Sequence, residues 1–210
     1  MTLSINIVDT EKQIEQNINA AIADAINDII SRNLKSIETS VKSLIPSWIL
    51  SQPEMVSLQS TDPSSLAGQF GIQGSVSLIV NNIVQAVANA TNINFVKYTK
   101  KLKGGLELQF QPTDFNNLLS LPDGHTRYRG GDLHWLDWLL KRGDNIIVVN
   151  YQYNPKTGLG RSGLGNMIGG GSFRVPPQFS GTESDNFITR AFIGSNQEQQ
   201  ISDLIQRALT

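Results

Sequence analysis

Between Asp9 and Ile45 the apolar residues recur with a helical period. Ile18, Ile22, Ala25 and Ile29 are spaced 4, 3 and 4; Ile30, Leu34, Ile37, Val41 and Leu44 follow at 4, 3, 4 and 3. The result is a narrow stripe with one register step at Ile29/Ile30. A helix of that length spans roughly 55 Å, more than a small domain covers along its length. The pattern therefore predicts one of two things. Either the helix breaks near 31–33, or part of its stripe needs a partner, which is its own sheet or the helix of a second copy. Pro46 is expected to end the run.

From Ser47 to Gly74 the breakers in SQPEM, STDPSS and GQFGIQG predict an irregular, Ω-like excursion or arm. In SVSLIVNNIVQAVANA the positions Val76, Ile79, Val80, Ile83, Val84 and Val87 restore a helical period. INFVKYTKK (93–101) and LELQF (106–110) read as strands around Gly104-Gly105, with Leu106, Leu108 and Phe110 on one face. GDLHWLDWLLKRGD reads as a short helix with Asp132 as N-cap, Lys141 and Arg142 at its C-terminal end, and Gly143 as the stop. NIIVVNYQY (145–153) is the clearest strand. A Gly-rich hairpin or arm follows it, then SFRV.

Two capping signals close the chain: Thr182 with Asp185, and Ser195 with Glu198 ahead of Ile201, Leu204, Ile205 and Ala208. The whole reads as a single α+β domain, a small antiparallel sheet covered by helices. Its parts are a long helix (9–45), an excursion (47–74), a helix-and-sheet core (75–155), a Gly/Pro-rich arm (156–181) and C-terminal helices (182–210).

Composition narrows the function classes. The 210 residues carry 17% charged side chains and a formal net charge of -1, so no global field draws the chain to nucleic acid or an anionic membrane. The absence of cysteine excludes disulfides, thiolate metal sites and a cysteine nucleophile. No apolar run approaches the ~18 residues of a membrane span. MTLSINIVDTEKQ lacks the basic and apolar regions of a signal peptide, so the expectation is a soluble protein made in the cytoplasm.

Candidate chemistry is sparse. Gly158, Gly160 and Gly163 have dinucleotide-fingerprint spacing, but LGNMIGGG, which follows, does not suit the required helix. No lysine follows the glycines as a phosphate loop needs. There is no G-x-S-x-G elbow. His125 and His134 are the two histidines, with Asp123, Asp132, Asp137 and Asp144 nearby. A two-histidine, one-carboxylate metal site can be composed from them. No helical or hairpin spacing joins the two histidines with certainty, so no metal, cofactor or catalytic residue is expected. Trp135 and Trp138 read as core rather than as a base-stacking platform. Lys97, Lys100, Lys101 and Lys103 read as a solvated strand edge, with Arg127 and Arg129 as a second, loose basic group.

Seven glycines fall between Gly158 and Gly171. Ordering them carries a high entropic cost, and no catalytic side chain sits among them. Leu159, Leu164, Met167 and Ile168 interrupt them, which points to docking on the chain's own body or on a neighbour.

LHWLDWLLKRGDNIIVVNYQY, GRSGLGNMI and SFRVPPQFSGTESDNFITRAF together resemble a motif series of tailed-bacteriophage virion proteins. That series is a W-L-x-W-L-L helix, an apolar strand, a glycine loop, and a W-R-V-P-P-x-F-x-G-T…N-F-[IL]-T-R-A close. Phe173 stands where the pattern has Trp, and SSLAGQFGI (64–72) resembles the segment after that family's N-terminal helix. The resemblance covers about Leu133–Phe192 and implies a neck or tail-completion protein. What it implies is a non-enzymatic α+β ring subunit in the virion, between the portal-side adaptor and the tail, through which DNA passes without sequence-specific binding. Stopper, tail-completion and tail-terminator roles share this core and stay open, as do a tail-tube or decorating protein and, from another class, a small nucleic-acid-binding or hydrolytic protein. On the ring reading the interface residues are Leu159, Arg161, Leu164, Met167, Ile168, Phe173 and Arg174 from the arm, with Ile30, Leu34, Ile37 and Val41 from the long helix.

Overall fold

In the computed structural model, which describes residues 9–128 and 131–209, the N-terminal run forms one helix, α1 (Glu11–Leu50), unbroken through 31–33. A reciprocal capping box starts it. The Gln13 amide donates to the Thr10 hydroxyl at 3.3 Å, and the Thr10 amide donates to Gln13 Oε1 at 2.8 Å. Pro46 does not end α1 but lies inside it. An interior proline removes a hydrogen bond and costs about 3 kcal/mol. Burial of Ile45, Trp48 and Ile49 around it offsets that, each large apolar side chain contributing about 1.5–3 kcal/mol.

Among the described residues the architecture is α+β, with three two-stranded antiparallel hairpins in place of the one expected sheet. The expected single domain divides into two compact units, Met1–Val41 with Asn92–Gln109 and Gln200–Thr210, and Lys42–Thr91 with Phe110–Gln199.

The first unit contains α1 through Val41, the hairpin β1 (Asn92–Val96) and β2 (Gly105–Gln109), and most of the C-terminal helix α8 (Ser195–Leu209). The hairpin pairs Asn92 with Gln109 through Val96 with Gly105. Ile93, Phe95, Leu106 and Leu108 are half-buried, alternating with exposed neighbours, as the sequence pattern predicts. Side-chain amides tie the pieces together. Asn27 donates to the Tyr98 carbonyl at 3.0 Å and accepts from its amide at 2.7 Å, and Asn33 donates to the Ala208 carbonyl at 3.0 Å. The four lysines 97, 100, 101 and 103 are exposed in the loop between β1 and β2.

The second unit holds most of the buried side chains. The segment expected to be irregular, 47–74, is largely helical: after the end of α1 come α2 (Pro53–Gln59) and α3 (Leu66–Phe70). Met55, Leu58, Leu66 and Phe70 are buried. Its breakers cap these short helices, Ser65 accepting from the Gly68 amide at 3.3 Å and Gly71 taking a left-handed φ of 63°. α4 (Val76–Ala90) buries Ile79, Val80, Ile83, Val84 and Val87, and α5 (Asn116–Leu119) adds Leu118.

Hairpin β3 (Thr126–Tyr128) and β4 (Gly131–Leu133) leads into α6 (Trp135–Leu140). Asp132 is therefore a strand residue, not the N-cap, which is His134. Trp135 is fully buried, stacks on Phe70 at 5.8 Å, and donates its indole N–H to the Asp123 carbonyl at 3.0 Å. The long hairpin β5 (Ile146–Asn154) and β6 (Asn166–Arg174) follows, then α7 (Phe187–Phe192). The cap of α7 is Asn186 with Thr189, where the sequence suggested Thr182 with Asp185. The latter pair forms the turn just before it, the Asp185 amide donating to the Thr182 hydroxyl at 3.1 Å. Gly181 is held against α6, where a Cβ would overlap the Leu139 carbonyl. Glu54, fully buried, pairs with Arg190, which also reaches Asp185 at 2.6 Å.

Candidate functional site

The glycine-rich stretch is neither a phosphate cradle nor a free arm. Its second half is strand β6, paired with β5 from Ile146–Arg174 to Asn154–Asn166. The ladder is irregular between Val149 and Tyr151. There Asn150 takes a φ of 63° while Gly170 and Gly171 take 97° and 75°. Two residues facing one make a bulge, and the positive φ angles account for the glycines.

The loop from Pro155 to Gly165 folds on itself. The Gly160 amide donates to the Leu164 and Gly165 carbonyls, and the Gly163 amide to the Gly160 carbonyl at 2.9 Å. Those amides are committed within the loop, and a strand follows rather than a helix, so the nucleotide-binding reading falls. The loop also docks on its own body. The Tyr153 hydroxyl donates to the Pro63 carbonyl, and Gly68 and Gly165 leave room for it where a Cβ would collide with that hydroxyl. Arg161 donates to the Arg127 carbonyl, its guanidinium lies 6.0 Å from the Tyr128 ring, and its own carbonyl accepts from Gln73 at 3.4 Å.

Loop, hairpins and α6 enclose a cleft of about 840 Å³ within the second unit. Trp138 lines it beside Tyr128, Tyr151 and Arg161. The half-buried Trp138, with the Arg142 guanidinium 6.0 Å from its ring, is a wall of the cleft; only Trp135 of that pair is core.

The rim of the cleft carries the two-histidine, one-carboxylate cluster that the sequence reading composes and sets aside, with Asp132 as the carboxylate. In the β3–β4 ladder Thr126 pairs with Leu133 and Arg127 with Asp132. Continuing that register one step puts His125 across from His134, and strand alternation puts Asp132 on the same face as both. His125 Nδ1 lies 3.2 Å and His134 Nε2 3.8 Å from the same Asp132 Oδ2, and the imidazole centroids are 3.8 Å apart. Pairing of Thr126–Tyr128 with Gly131–Leu133 is the signal that brings them together; reading Asp132 as a helix cap hides it. Of the second loose basic group, Arg127 is exposed on β3, and Arg129 lies outside the described residues.

The residues expected at an interface divide sharply. Leu159 is 81% exposed, and Arg161 and Arg174 are exposed, though Arg161 is engaged within the loop and Arg174 faces Asp144 at 3.5 Å. Leu164, Met167, Ile168 and Leu34 are half-buried. Phe173, Ile30, Ile37 and Val41 are buried in the chain itself. Those four are packing residues, because Phe173 sits inward on β6 and the other three form the inner row of α1. The exposed row of α1 is Ile14, Ile18 and Ile22.

Among the described residues no helix is long and apolar enough to cross a membrane. The chain matches no protein-family model, no curated protein and no solved structure.

Proposed function

We propose that the chain is a structural subunit of a tailed-bacteriophage head–tail junction, a neck or tail-completion protein whose copies form a ring. The observation that carries this reading is the outer row of α1. Ile14, Ile18 and Ile22 repeat every fourth residue and are 37%, 53% and 42% exposed. Three isoleucines one turn apart on a helix face make a continuous apolar strip, and a strip of this kind is buried when copies associate through heterologous contacts that close by rotation.

The motif residues support the same reading from the other side. Trp135, Leu136, Leu139, Leu140, Phe187 and Ile188 are core, so the likeness to virion proteins lies in fold-defining positions and not in a catalytic set. In this reading the virion is the destination, the adaptor and tail rings are the neighbours, and DNA passes through the opening.

Light scattering of the purified chain across a concentration series, with negative-stain images, tests the proposal. The expected result is a species of several chain masses that images as closed rings. A monomer at every concentration, together with salt-sensitive DNA binding or hydrolysis, overturns it in favour of the nucleic-acid reading.

A further inference from the structure

We propose that His125, Asp132 and His134 form a binding site for one divalent transition-metal ion of the zinc type, with coordination positions open to the cleft. The inference is independent of the ring assembly. It starts from the ladder: Thr126–Leu133 is the last pair of β3 and β4, and the two histidines extend it by one residue on each side. Asp132 stands two residues before His134 on the same strand face. Two imidazoles and a carboxylate are thereby delivered to one spot by backbone geometry.

The three donor atoms all lie within 4.8 Å of one another. Donors held at about 2.0–2.1 Å from a tetrahedral zinc ion are about 3.3 Å apart. The two recorded separations from Asp132 Oδ2, 3.2 Å and 3.8 Å, bracket that value. Small side-chain rotations suffice to complete the set. The ring centroids are 3.8 Å apart, closer than the about 5 Å of two imidazoles on one tetrahedral zinc ion, so the rings swing apart as the ion enters. A cation between the nitrogens and the carboxylate oxygen satisfies all three lone pairs at once.

Two histidines and one carboxylate suit a borderline ion better than a hard one such as calcium or magnesium, which takes oxygen ligands. Three protein ligands leave at least one position for water or another oxygen donor. The side chains are 25%, 36% and 55% exposed for His125, Asp132 and His134, and Asp132 and His134 line the cleft. The open position thus faces space that a carboxylate or phosphate ligand can enter.

The chain has two histidines, so both can be watched directly. The experiment is a zinc titration of untagged, chelator-treated, ¹⁵N-labelled full chain, followed by the imidazole nitrogen resonances. The expected result is that both rings shift together and saturate at one equivalent. His125, bound through Nδ1, then carries its proton on Nε2, and His134, bound through Nε2, carries its proton on Nδ1. In calorimetry Asp132→Asn weakens zinc binding at least about tenfold, the lower end of what even an outer-shell partner contributes. Absence of saturable shifts, a shift of one ring alone, or unchanged affinity in His134→Ala overturns the site. The titration of the unaltered chain decides the question even where a variant folds poorly.

Discussion

The two units of this chain solve the burial problem differently. In the second unit, short helices and hairpins converge on large, fully buried side chains: Trp135, Phe187, Met55, Leu66 and Leu139 among them. In the first unit, the described segments are held by Asn27 to Tyr98, by Asn33 to Ala208 and by a thin inner row of Ala23, Ile30, Ile37 and Val41. Its helix still shows water the isoleucines at 14, 18 and 22. The second unit builds a core of large side chains while leaving scattered apolar residues such as Leu78, Val149 and Leu159 at its surface; the first has only a thin inner row, and its exposed isoleucines are aligned on one helix face. The lesson is that an apolar stripe read from sequence does not by itself say who covers it. The covered row already includes Ala23, next to exposed Ile22, so buried and exposed rows run on opposite faces of the helix before the step at Ile29/Ile30.

Substitutions sharpen that contrast. The largest effect is expected in the second unit. Trp135→Ala removes a fully buried indole and its hydrogen bond to Asp123, and is expected to cost about 3–5 kcal/mol in urea unfolding followed by far-UV circular dichroism.

Next comes Arg190→Ala, which strands the buried Glu54. Burial raises the Glu54 carboxyl above its ordinary 4.5, against the opposing influence of its backbone hydrogen bond and of Arg190. Its Oε2 has no hydrogen-bond partner among the described residues. The folded chain holds that proton more tightly than the unfolded chain, so Glu54's contribution to stability declines as pH rises through 4.5 towards the folded value. Losing Arg190 raises the folded value further. The variant is expected to lose about 3 kcal/mol near neutral pH and less near pH ~5. Equal losses at both pH values contradict the assignment.

Gly170→Ala tests the bulge. The φ of 97° at that position is unfavourable for any residue with a Cβ, and the expected loss is about 1–2 kcal/mol in thermal unfolding. The smallest stability effect is expected in the first unit. Ile18→Ser, at an exposed position, leaves unfolding within about 0.5 kcal/mol of the parent while reducing self-association. A large destabilisation there means that the row is already covered within the chain.

Much of the fold was legible. Helical periodicity located α1 and α4, strict alternation located β2, and W-L-D-W-L-L marked α6. The misreadings share one physical cause: local rules lose to burial. Pro46 is a helix breaker by propensity, yet Ile45, Trp48 and Ile49 hold the helix around it. The breakers of 47–74 read as an arm by local rules, yet they cap short core helices. The glycines of 158–171 looked like flexibility, and they serve a bulge, tight turns and a close approach to Tyr153. The histidine cluster depends on a register that three-residue strands barely signal, and Asp132 had a competing local use as a cap. Exposure of Ile14, Ile18 and Ile22, against burial of Ile30, Ile37 and Val41, is tertiary information that spacing alone does not contain.

The central claim is that the exposed row of α1 is where copies of this chain meet. The chain contains no cysteine, so a single introduced thiol reports one place. Ile18→Cys and, as a control in the loop between β1 and β2, Lys101→Cys are reacted with a maleimide at low and high protein concentration, and the labelling rate is read by mass spectrometry. The account predicts that labelling of Ile18→Cys slows markedly as copies associate while that of Lys101→Cys does not. Unchanged labelling of Ile18→Cys in the associated protein, or equal slowing at both positions, contradicts it.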